Sequence, residues 1–120
     1  MLILPRHLQS GFNIVDNDIA QKVLARAKGF CEACGFSGEL VLHHRKLRSQ
    51  GGQDAVSNLI AIHSKCHNMG TKSIHNQPKA AKEKGFIVPS WEKPEHTVLH
   101  LYGSKPVRLD EEGNYIYLEG

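Results

Sequence analysis

Two pairs of soft metal ligands stand out in the 120-residue chain: Cys31-x2-Cys34 and His63-x2-Cys66. A two-residue gap lets one tight turn present both members of a pair to a single ion, and three thiolates with one imidazole form a tetrahedral set suited to zinc. A lone Cys-x2-Cys also fits a thiol redox pair or two buried thiols, but neither explains the second knuckle. The spacing therefore predicts a structural Zn2+ on Cys31, Cys34, His63 and Cys66, worth on the order of 10 kcal/mol to the folding of a small domain. Three cysteines, two of them nearly adjacent, are poor material for a disulfide framework. That usage predicts a reducing compartment, the cytosol.

A second kind of chemistry is offered by histidine, of which the chain has eight. His43 and His44 are neighbours at the end of an apolar, β-branched run, and neighbours on a strand point to opposite faces. One imidazole can face a metal and the other a substrate. A neutral imidazole near pH 7 can also take a proton from water, the task of a general base. His67 follows Cys66 directly, so the zinc would fix its position and aim it away from the first ion, as a second-site ligand requires. Arg45, Lys46 and Arg48 come straight after the paired histidines and are candidates for phosphate contact. His7, His96 and His100 have no assigned role.

The elements that must position these groups follow from period and punctuation. Asp16 or Asn17 can cap a helix over 17–28, with Ile19, Val23, Leu24 and Ala27 at helical spacing and Lys28-Gly29 as its stop. Residues 30–35 then form the first knuckle, with Gly35 supplying backbone freedom. The run 40–44 reads as a strand, 49–52 as a flexible loop, and 58–62 as a returning strand, together a hairpin with a long loop. After His67 the chain is helix-compatible to about Gly85, with breaks expected at Gly70 and Pro78. Lys79, Lys82 and Lys84 should form its wet face. Beyond Phe86, apolar pieces at 97–102, 107–109 and 115–118 predict a small β appendage, with a turn at Glu112-Gly113-Asn114.

The length suits one domain, divided as an N-terminal arm (1–15), a core (16–88) and a C-terminal β extension of the same domain (89–120). The formal net charge of +3 permits a polyanionic partner without demanding one. No apolar run reaches the roughly 18 residues needed to cross a bilayer, so no membrane span is expected.

The order Cys31-x2-Cys34, His43-His44, Gly51-Gly52, Asn58-Leu59, Cys66-His67 resembles the zinc-stabilised HNH nucleases over roughly residues 20–80. The resemblance implies an α+β fold with a small ββα-metal (His-Me finger) core, a structural zinc knot, an N-terminal helix and a C-terminal β appendage. It also implies metal-dependent hydrolysis of DNA phosphodiesters. Carried over by position, His43 is a ligand of a catalytic Mg2+, Mn2+ or other divalent ion, His44 the general base, Asn58 the orienting amide and His67 the second ligand. The segment 75–88 is similar to that of small phage-encoded members, which implies a further ligand at His75, a cytosolic phage or bacterial setting and, by resemblance alone, packaging proteins as partners. Relatives commonly carry Cys where His63 stands, and their further His comes about one helical turn after the first. An unbroken helix would leave His75 about 80° off the face of His67 and some 12 Å along the axis. Gly70, Thr71 and Ser73 favour a looped path that returns His75 to the ion. The competing expectation is a zinc-knuckle nucleic-acid-binding module without catalysis. It has no need for His43, His44, Asn58 and His67 in this order.

Overall fold

The computed structural model describes residues 15–69, Ile74 and residues 77–118. Helix α1, Asn17–Ala27, begins where the Asp16 carboxylate accepts the amide of Asp18 at 2.9 Å. Ala20, Val23 and Ala27 on its inner face are buried, and Lys28 stops it in the left-handed region at φ 55°. Strands β1, Leu40–His44, and β2, Leu59–His63, pair antiparallel in the register Leu40 to His63 and His44 to Leu59. Leu59, Ile60, Ala61 and Ile62 are all fully buried, so β2 is covered on both faces.

The helix expected after His67 comes in two pieces. A π-helical turn spans Lys65–Met69, and a short helix α2 spans Pro78–Glu83. Pro78 begins α2 rather than merely interrupting one, since its fixed φ and missing N–H suit the first helical turn. Lys79, Lys82 and Lys84 are exposed as expected, and the Lys84 ammonium donates to the Gly103 carbonyl at 2.8 Å. His75 and most of the N-terminal arm lie outside the described residues.

A second antiparallel sheet contains β3, Leu99–Leu101, β4, Lys105–Leu109, and β5, Tyr115–Tyr117, in that order. Asp110 shapes the turn before β5 by accepting the amides of Glu112 and Asn114. Leu99, Leu101, Val107 and Leu109 belong to the same apolar core as Val23 of α1 and Leu59 to Ile62 of β2. The C-terminal sheet thus closes the core that the hairpin begins. Among the described residues no helix is long and apolar enough to cross a membrane.

Buried polar groups tie these layers together. Arg26 of α1 donates through Nε and Nη2 to the Glu32 carboxylate at 2.7 and 2.9 Å, and through Nη1 and Nη2 to the Val56 and Leu59 carbonyls. Glu32 also accepts the Ala61 amide at 2.8 Å and the Tyr115 hydroxyl at 2.5 Å. An ion pair so deeply buried is costly to desolvate, and only such complete hydrogen bonding makes it tolerable. The carboxylate thereby joins α1, β2 and β5.

Candidate metal centre and active site

The first knuckle turns between Cys31 and Cys34, where Gly35 donates its amide to the Cys31 carbonyl at 2.8 Å. The second lies where β2 ends and the π-helical turn begins. The ligand atoms of Cys31, Cys34, His63 and Cys66 all come within 4.8 Å of one another. A tetrahedral zinc with bonds of about 2.3 Å holds its sulfurs about 3.8 Å apart. Cys31 and Cys66 Sγ are 3.8 Å apart, and Cys34 Sγ lies 3.4 Å from His63 Nδ1.

His63 is oriented for this role by its other nitrogen, Nε2, 2.9 Å from the Ser37 carbonyl. Gly38 makes room for the ring: a Cβ there would stand 2.9 Å from His63 Nε2. The donor set also calls for a cation. Burial, with the neighbouring thiols adding to it, pushes Cys66 up to about 12, and burial pushes Cys34 up as well. Thiols crowded in this way become thiolates together only when a positive charge sits among them. The cluster fits a zinc site.

The paired histidines part company at the other end of the hairpin. His43 is buried, with Nε2 2.8 Å from the Phe86 carbonyl, and its ring lies edge-on to His67 with centroids 5.1 Å apart. Since the carbonyl can only accept, this contact puts a proton on Nε2 and fixes the orientation of the ring. His67 reaches this position from the π-helical turn, an irregularity frequent at functional sites. His44 turns the other way, with Nε2 2.7 Å from Asp54 Oδ1. Arg48 Nη2 donates to both Asp54 oxygens at 2.8 Å. Partial burial raises the Asp54 carboxyl, but hydrogen bonds from His44 and Arg48 outweigh it and hold the group below the usual carboxylate range.

Asn58 is buried and laces the loop shut. Its Oδ1 accepts the Lys46 amide at 2.8 Å, and its Nδ2 donates to the carbonyls of Lys46 and Gln53 at 3.0 and 2.9 Å. Gly52 packs so closely that a Cβ would stand 1.8 Å from the Lys46 carbonyl oxygen, so no other residue fits without moving the backbone. Together they fix the path of the chain just after His44.

Arg45 departs from the expected phosphate contact. It is fully buried, and its guanidinium donates to the carbonyls of Gly85, Ser57, Pro94 and Thr97 at 2.8 to 3.0 Å. Burial lowers it to about 9, which still leaves it charged at neutral pH. It acts as an internal bolt between the hairpin and the C-terminal segment. Lys46 donates to the Glu92 carbonyl at 3.1 Å, and Arg48 is exposed apart from its pairing with Asp54.

Two acidic residues of consequence escape a motif reading. Glu32 stands between the first two zinc ligands, where a charge flanked by buried positions is the available signal. Asp54 follows Gly51-Gly52 by two residues, and its use becomes visible only when the loop folds back to His44. No curated protein and no solved structure matches the chain significantly. Residues 31–73 match the family model described as HNH endonuclease, and this stretch carries both knuckles, His43, His44, Asn58 and His67.

Proposed function

We propose that the chain is a metal-dependent endonuclease that hydrolyses DNA phosphodiester bonds at the site formed by His43, His44, Asn58 and His67. The observation that carries this reading is the meeting of the His43 and His67 rings at 5.1 Å, with His44 turned to the opposite side of the strand, inside the matched stretch. His43 and His67 would hold a divalent ion, Mg2+ or Mn2+, and the resemblance implies His75 as a further ligand. Such an ion, when bound, supplies positive charge for a nonbridging phosphate oxygen and for the leaving 3′ oxygen.

His44 takes a proton from water at its ring nitrogen. The oxygen so activated bonds to phosphorus as the P–O3′ bond breaks, and the 3′ oxygen is protonated by solvent. Asn58 acts through the backbone it holds and so keeps the His44 ring in place. Lys46 and Arg48 remain as the phosphate-contacting candidates beside it. The structural zinc would serve folding, and three cysteines outside any disulfide suit the reducing cytosol.

The test is conversion of supercoiled plasmid by the zinc-loaded chain with Mg2+ or Mn2+. Nicked or linear product is expected, and leaving Mg2+ and Mn2+ out of the reaction of the zinc-loaded chain should stop it. A zinc-loaded chain that binds the plasmid but never cuts it would instead favour the non-catalytic binding module.

A further inference from the structure

Asp54 has no role in the chemistry described so far, yet it makes the shortest polar contact of the proposed base. His44 Nε2 lies 2.7 Å from Asp54 Oδ1, and His44 is only 13% exposed. A carboxylate accepts and does not donate, so this contact requires the proton on Nε2. The weaker approach of Arg48 Nε to His44 Nε2, at 3.4 Å, would require a lone pair there instead. The same Arg48 Nε reaches Asp54 Oδ1 at 3.2 Å, so its N–H is satisfied without the ring. The shorter, charge-assisted contact therefore decides the tautomer.

We infer that Asp54 is the positioning residue for His44: its carboxylate holds the imidazole as the Nε2–H tautomer and in one orientation, leaving the Nδ1 lone pair as the proton acceptor. The inference rests on His44 being the general base. Arg48 pairs with the same carboxylate through both oxygens, and the Asp54–His44 contact stands beside that pairing as a separate hydrogen bond. The chain runs His44, then the loop closed by Asn58 and Gly52, then Asp54, and this closure brings the two side chains together. Asp54 takes no proton during the reaction. The proton removed from water resides on His44 Nδ1, and the carboxylate stabilises the resulting imidazolium.

The experiment combines steady-state cleavage with the two-bond 1H–15N spectrum of the zinc-loaded, full-length chain. In the wild type, His44 should show a protonated Nε2 and an unprotonated Nδ1. Asp54→Ala should lose that signature and lower kcat by about 10- to 100-fold, a share of the 10²–10⁴ that a positioned base contributes. KM for DNA, zinc content and Tm should change little. Arg48→Ala, which removes the brace and leaves the Asp54–His44 contact, should keep the Nε2–H signature.

A wild-type ring protonated on Nδ1, or an Asp54→Ala chain with wild-type kcat, would overturn the inference. Loss of the signature in Arg48→Ala to the same extent as in Asp54→Ala would also overturn it, because Asp54 would then act only by holding the loop. The base assignment fails separately, if His44→Ala itself cleaves at the wild-type rate.

Discussion

Along one hairpin the chain uses histidine in two opposed ways. His63, at the Leu40 end, joins three sulfurs in a set whose four members surround one point, and its second nitrogen is engaged by a backbone carbonyl. His43 and His67 meet farther along ring to ring, while the carboxylate of Asp54 is turned to His44. A closed soft set saturates its ion and serves the fold; imidazoles that leave coordination positions open suit an ion that must exchange water for substrate. The comparison teaches that residue type alone does not assign a histidine. Its immediate company does.

The largest effect should come from opening the closed set. Cys66→Ser should release the zinc and abolish the cooperative fold, because the roughly 10 kcal/mol at stake is comparable to the whole stability of a typical domain. Zinc content and far-UV circular dichroism check it, and a folded, zinc-replete Cys66→Ser chain would dissolve the distinction. At the open set the damage should be chemical. His44→Ala should cut cleavage by about 10²–10⁴-fold, with the zinc retained and Tm lowered by no more than a few degrees.

A milder change is expected where Glu32 joins the knot to the C-terminal sheet. Burial, reinforced by the Glu32 carboxylate, raises the Tyr115 hydroxyl above its ordinary value of 10.0. A raised value in the folded state means full stabilisation below pH 10, lost as the pH climbs and the unfolded chain ionises. Tyr115→Phe should cost about 1–3 kcal/mol at neutral pH and make the decline above pH 10 shallower, as read from urea unfolding across that range. An alkaline limb identical to that of the wild type would remove Tyr115 from the account.

What could be read in advance was local. The knuckles follow from two-residue gaps, α1 from Asp16 and the spacing of Val23 and Ala27, and the hairpin from apolar runs on either side of Gly51-Gly52. The burial of Arg45 is not legible locally, because its partners Pro94 and Thr97 lie about fifty residues away and nothing near Arg45 announces that a cationic side chain will be buried there. Asp54 and Glu32 stayed hidden for the same reason. Their function is created by closure of a loop or stacking of layers, and single-residue spacing does not encode either. The start of α2 was visible in Pro78, whereas no residue signal announces the π-helical form of Lys65–Met69.

The placement of Glu32 between Cys31 and Cys34 has a kinetic consequence. Its amide donates to the Ala61 carbonyl and its carboxylate accepts the Ala61 amide, both at 2.8 Å, so the knuckle is stitched to the outer edge of β2 as well as to the ion. The turn cannot peel away from zinc by a local fluctuation without also breaking into β2, α1 and β5. Exchange of the ion with free zinc is then timed by opening of the whole domain, and the amide of Ala61 should exchange its hydrogen on that same slow clock.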